Sequence, residues 1–230
     1  MPNWCISRLE VTGEDMLKFE EDVHDGNNSL SLEELIPIPN LHFLKYDELK
    51  EILDESELKE CIFDKNGSLD WYEYSCSKWG TKWDVNVINF NSTEDSLSYT
   101  FESAWSPPES WLVTVSQAYN AKFEMTSYEE GCDFWYRIVI ENGRVIEIED
   151  MTIRDRLLAN LNEDSSFEKV KEKFYKKLSE IEYDEDKKVE EIEELYEIVD
   201  YLDCEFGSWQ LYNLFDEYRE EYYKNKGIII

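Results

Sequence analysis

The sequence predicts an α+β chain in two parts. An antiparallel-sheet domain of the split βαβ type spans residues 1–150, and an acidic all-helical region spans 151–230. Three observations carry this. Period-two and helical apolar segments alternate in the order β-α-β-β-α-β across the first part. From Ile153 the apolar period becomes helical throughout. Aromatics form 15% of the 230 residues, enough for a packed core despite a net charge of −31.

The elements follow in order. Asn3 to Thr12 reads as a strand with Trp4 and Ile6 on one face, then Leu9 and Val11 on the other, an offset expected to mark a bulge. Glu14 to Val23 carries the helical stripe Met16, Leu17, Phe19, Glu20 and Val23. Ser31 to Pro39 opens like a capping box and closes with two prolines. Asp47 to Phe63 is a second helical segment. Trp83–Phe90 and Leu97–Ala104 are strands, and Leu97, Tyr99, Phe101 and Ser103 share a face. Ser106-Pro107-Pro108-Glu109 starts a helix with Ser106 as cap, followed by Trp111, Val115, Ala118 and Tyr119. Lys122–Tyr128 is a strand, and Glu141-Asn142-Gly143 turns a hairpin between Phe134–Ile140 and Arg144–Ile148. This order is that of a ferredoxin-like sheet.

In the second part, Phe167, Val170, Phe174, Leu178 and Ile181 form one stripe. Val189, Ile192, Leu195, Tyr196, Val199 and Leu202 form another, and Leu211, Phe215, Tyr218 and Tyr222 a third. Short connections predict antiparallel helices.

Composition excludes several functions. With 54 acids against 23 bases, the chain lacks the clustered cations that hold nucleic acid phosphates. Charged residues interrupt every apolar run before the roughly 18 residues of a membrane span. The opening Met1-Pro2-Asn3-Trp4-Cys5 lacks a basic and then apolar leader, so a cytoplasmic protein is expected. Five scattered cysteines, Cys5, Cys61, Cys76, Cys132 and Cys204, have no paired spacing. They predict free thiols, no metal and no cofactor. Neither His24 nor His42 has a second histidine at ligand spacing. No phosphate-binding, dinucleotide or zinc-protease motif occurs, so the chain is not expected to be an enzyme.

Two features remain. Tryptophans crowd the stretch Trp71-Tyr72-Glu73-Tyr74, Trp79-Gly80-Thr81-Lys82-Trp83-Asp84, Trp105 and Trp111. They close a core, form a protein interface or make a ligand-stacking platform. Trp79, Trp83, Trp105 and Trp111 are expected to lie together, mostly buried. Carboxylates dominate residues 182–221, with 16 acids and 3 bases. They are a solvated surface or a mimic of nucleic-acid phosphate. The candidate partner-binding residues are Asp184, Glu185, Asp186, Glu190, Glu191, Glu193 and Glu194, with Trp79, Trp83 and Trp105.

Several motifs resemble a known family. Asn3-Trp4-Cys5-Ile6-Ser7-Arg8-Leu9-Glu10-Val11-Thr12-Gly13 is similar to the N-W-C-x-N-x-L-x-V-x-G opening of YubB-type ferredoxin-like proteins of phages and plasmids. Trp79-Gly80-Thr81-Lys82-Trp83-Asp84, Phe101-Glu102-Ser103-Ala104-Trp105-Ser106-Pro107-Pro108 and Tyr128-Glu129-Glu130-Gly131 follow in that family's order. Ser7 departs from its asparagine, and Trp135-Tyr136 stands where a glycine often follows the Phe. The resemblance covers about residues 1–150 and leaves the helical region outside. It implies a ferredoxin-like fold and a mobile-element origin, with no catalytic residues.

The expected function is therefore protein binding by a phage or mobile-element accessory protein. In its concrete form this is an anti-defence, anti-CRISPR-like inhibitor whose acidic and aromatic surface fills a basic nucleic-acid-binding channel of a bacterial protein. The alternative is a small-ligand or nucleotide-binding protein using a tryptophan-lined cleft beside the sheet.

Overall fold

A computed structural model describes residues 3–27, 29–38, 45–55, 58, 70–163, 166–181, 187–189, 192–199, 202 and 208–227. The chain divides into two compact units, Met1–Asp150 and Met151–Ile230.

The first unit is built on β1 (Trp4–Gly13), α1 (Met16–Asp22), α2 (Leu32–Leu35), α3 (Tyr46–Leu49), α4 (Trp71–Lys78), β2 (Asn86–Ser92), β3 (Leu97–Ala104), α5 (Glu109–Val115), β4 (Ala121–Glu129), β5 (Phe134–Glu141) and β6 (Arg144–Met151). The strands make one sheet in the order β2-β3-β1-β4-β5-β6. β1 lies antiparallel between β3 and β4, which is the ferredoxin-like arrangement of an α+β fold.

One face of the sheet carries the core. Leu9 and Val11 of β1, Tyr99 and Phe101 of β3, Phe123 and Met125 of β4, and Ile138 and Ile140 of β5 pack with Phe19 of α1 and Trp111, Leu112 and Val115 of α5. Both helices of the split βαβ, α1 and α5, therefore cover the same face. Phe19 is the hinge of this packing, its ring 5.1 Å from that of Phe123 and 6.3 Å from those of Tyr99 and Trp111.

The strand expected to bulge is regular. Cys5, Ser7, Leu9 and Val11 all face inward, in register with Ser103, Phe101, Tyr99 and Leu97. The apolar pattern misleads because small polar residues fill the inner face at this end of β1. The register irregularity lies instead in β2, between Val87 and Asn89, and leaves Ile88 exposed.

Local signals were also displaced. Ser106 does not cap α5; its hydroxyl donates to the Gly80 carbonyl at 2.6 Å, and Pro108 occupies the cap. Ser31 makes no side-chain cap on α2. Of the helix expected over 47–63, Tyr46–Leu49 is helical, while residues 56, 57 and 59–69 lie outside the described residues. The hairpin after β5 is as expected, with Asn142 and Gly143 at φ 50° and 72°.

The second unit contains α6 (Ile153–Glu163), α7 (Phe167–Leu178), α8 (Glu193–Val199) and α9 (Ser208–Asn225). Phe167, Val170, Phe174 and Leu178 bury one stripe of α7, and the Phe174 ring sits 4.8 Å from that of Phe215 on α9. The Tyr223 hydroxyl donates to the Leu178 carbonyl at 3.1 Å, and Asp216 accepts from the Val189 amide at 2.9 Å.

Candidate functional site

The motifs of the first unit converge on one end of the sheet, where β1 begins and β3 and β4 end. Small inward residues make this possible. Cys5, Ser7, Ser103 and Ser127 are buried there, and the Ser7 and Ser127 hydroxyls meet at 2.8 Å. The Trp79–Lys82 segment is tied to the same end through Ala104 and Ser106. The Thr81 hydroxyl donates to the Ala104 carbonyl at 3.0 Å. Gly80 holds φ 86°, and a Cβ there would stand 3.1 Å from the Pro107 carbonyl oxygen.

Asp84 ties this segment to α2. Its carboxylate accepts from the Ser31 hydroxyl at 2.7 Å and the Leu32 amide at 2.8 Å. The helix is thus capped by a residue distant in sequence.

The four tryptophans separate into two pairs. Trp79 and Trp111 are core residues, 2% and 1% exposed. The Trp79 indole N–H donates to the Ile36 carbonyl at 2.8 Å, and that of Trp111 to the Leu32 carbonyl at 3.0 Å. Trp79 is therefore withdrawn from the partner-binding set, because nothing outside the core reaches its ring. Trp83 and Trp105 are 39% and 49% exposed, so the expectation of burial is corrected for both. The reason is register: Trp105 follows the last residue of β3, beyond the covered face, and Trp83 precedes β2.

Trp4, not singled out from the sequence, completes the surface at 43% exposed. Its ring lies 6.2 Å from that of Trp83. The Trp105 amide donates to the Asn3 carbonyl at 3.0 Å, which sets Trp105 beside the start of β1. Trp71 and Tyr72 at the start of α4 are also exposed. The Lys82 ammonium lies 4.4 Å from the Trp83 ring centre and 5.5 Å from that of Tyr72. In the sequence, Trp4 is marked by its place in the outward alternation of β1 and in the Asn3-Trp4-Cys5 opening motif.

Trp105 holds φ 72°, a left-handed conformation that costs a bulky side chain about 1–2 kcal/mol. Its neighbours enforce it. The Ser103 hydroxyl donates to the Ser106 carbonyl at 2.8 Å, and Ser106 is anchored on Gly80. The left-handed backbone at this residue accompanies a half-exposed indole.

Glu129 is buried at the same end. Burial works to raise its carboxyl, but hydrogen bonds from the Cys132 thiol, the Gly131 and Cys132 amides and the Asn3 side chain outweigh it and hold it below its ordinary value. Burial pushes the Cys5 thiol up to about 11, so it stays protonated at neutral pH and is a poor nucleophile. His24 accepts from the Gly26 amide at 2.9 Å. His42 lies outside the described residues.

Of the acidic candidates, Glu193 is exposed at the start of α8, and the Glu194 backbone is helical. Asp184, Glu185, Asp186, Glu190 and Glu191 lie outside the described residues, as does the Glu194 side chain.

The family described as a ferredoxin-like domain in Api92-like protein matches residues 78–202, more than half of the chain. The chain belongs to this family. The match takes in the Trp79–Asp84 block and the Phe101–Pro108 run, then continues into the helical region as far as Leu202. This match extends past residue 150. Among solved structures the chain is similar to protein Api92 from Yersinia pseudotuberculosis, at 11% identity and a TM-score of 0.40, over 66% of this chain and 98% of that one. No curated protein matches the chain. Among the described residues, no helix is long and apolar enough to cross a membrane.

Proposed function

We propose that this chain works by binding another protein, docking its aromatic end on a basic, nucleic-acid-binding surface. One observation carries the reading: Trp4, Trp83 and Trp105 are exposed together at one end of the sheet, and Trp105 is held there against its conformational preference. Exposed tryptophans at this density mark interaction surfaces, where large aromatic anchors supply most of the binding energy. The net charge of −31 supplies the rest, by steering association toward positive surfaces and repelling nucleic acid itself.

The motif order shared with YubB-type proteins favours a phage or plasmid accessory protein acting in the host cytoplasm. An anti-defence inhibitor of the anti-CRISPR kind needs these two properties and no catalytic group. The nucleotide-platform alternative is weakened by Lys82, which already lies over Trp83 and Tyr72.

The test is capture from bacterial extract on the immobilised chain, with elution by heparin and by salt. The expected result is a nucleic-acid-binding protein with a basic surface, released by both. Retention of partners indifferent to heparin and to about 1 M salt would count against the reading.

A further inference from the structure

One of the exposed tryptophans, Trp83, already holds a cation. Lys82 places its ammonium 4.4 Å from the Trp83 ring centre and 5.5 Å from that of Tyr72. Aromatic faces carry negative electrostatic potential, and a cation within about 6 Å of the ring centre is attracted. Trp4 lies against Trp83, and Trp105 lies beside the start of β1. Both are more exposed than Trp83, and among the described residues no cation lies over either. Carboxylates stand on the elements that carry the aromatic residues. Glu102 sits on the outer face of β3, two positions from Ala104, the residue paired with Trp4. Asp70 and Glu73 lie at the start of α4 with Tyr72.

We propose that Trp4 and Trp105 seat arginine or lysine side chains of a basic protein segment, in the arrangement that Lys82 already makes with Trp83 and Tyr72. The inference rests on the protein-binding reading and specifies its contact chemistry. Arginine suits the surface best, because its guanidinium is planar, weakly hydrated and stacks on aromatic faces. A nucleobase would also stack, but its phosphates meet the acidic surface.

The test titrates an oligo-arginine peptide into the whole chain and follows the indole N–H resonances by NMR, assigned through Trp4→Leu and Trp105→Asn. Asparagine is chosen at 105 because it tolerates positive φ. The Trp4 and Trp105 resonances are expected to move saturably. Removing either ring should weaken the affinity read at the other by about 2–5-fold. Lys82→Met frees two further faces and should tighten binding by a similar factor, beyond the effect of the charge-matched Lys78→Met.

If the peptide binds with steep salt dependence while both indole resonances stay still, the rings are not the seat. This proposal then falls and the acidic docking reading stands. Equal effects of Lys82→Met and Lys78→Met would also overturn it. If the parent chain does not bind the peptide at low salt, both readings fall.

Discussion

Replacing Trp111 and Trp105 in turn separates a core tryptophan from a displayed one. Trp111 is fully buried, so its ring loses about 200 Å² of water contact on folding, or about 5 kcal/mol at ~25 cal/mol/Å². That figure is an upper bound, because the unfolded chain already buries part of the ring. Truncation also strands the Leu32 carbonyl that accepts its N–H, at about 1 kcal/mol. Trp111→Ala should therefore cost about 4–5 kcal/mol, within the usual range for core aromatics. Trp105 buries only half its surface, about 2.5 kcal/mol by the same measure. Asparagine recovers about 1–2 kcal/mol by relieving the left-handed strain. Trp105→Asn should thus cost about 1 kcal/mol. Thermal unfolding followed by circular dichroism reads both, at about 2–4 °C per kcal/mol for a chain of this size. The midpoint should fall by about 10–15 °C for Trp111→Ala and by less than about 4 °C for Trp105→Asn. Equal losses would refute the division of the tryptophans into core and display.

Three further outcomes follow from named contacts. Asp84→Ala removes the acceptor shared by the Ser31 hydroxyl and the Leu32 amide, and should lower stability by about 2–3 kcal/mol in urea unfolding. Arg137 bridges Glu124, Glu147 and Glu149 across β4, β5 and β6, so Arg137→Met should destabilise by about 1–2 kcal/mol, and added salt should recover part of the loss. Glu129 has a carboxyl held below its ordinary value, so it contributes stability above about pH 4.5 that is lost as pH falls through its folded-state value. The stability gap between the parent and Glu129→Gln should accordingly narrow between neutral pH and about pH 3.5 in pH-dependent urea titrations.

The fold was legible where one face of an element is apolar along its length. β3, with Leu97, Tyr99, Phe101 and Ser103 inward, and α7, with Phe167, Val170, Phe174 and Leu178 inward, could be read directly. β1 could not, because the small residues Cys5 and Ser7 fill its inner face, with the Ser7 hydroxyl bonded across the sheet to Ser127. That is a tertiary reason without a local signal. The capping of α2 by Asp84 has the same character, a contact across 52 residues that no spacing rule detects. At the candidate site, the sequence marked Trp83 and Trp105 but grouped them with Trp79 and Trp111, since density alone does not separate facing from buried rings. Trp105's exposure depends on its φ of 72°, fixed by hydrogen bonds from residues on either side.

Competition between nucleic acid and this chain for one captured partner tests the central claim most directly. The partner is loaded with a fluorescent oligonucleotide, and the chain is added while fluorescence anisotropy is followed. Occupation of a basic nucleic-acid channel by an acidic, aromatic surface requires that the oligonucleotide be released as the chain binds. Trp105→Asn, and reversal of Glu190, Glu191, Glu193 and Glu194 to Lys, should each demand a higher concentration for the same release. A stable ternary complex, with the oligonucleotide retained while the chain is bound, would contradict the account.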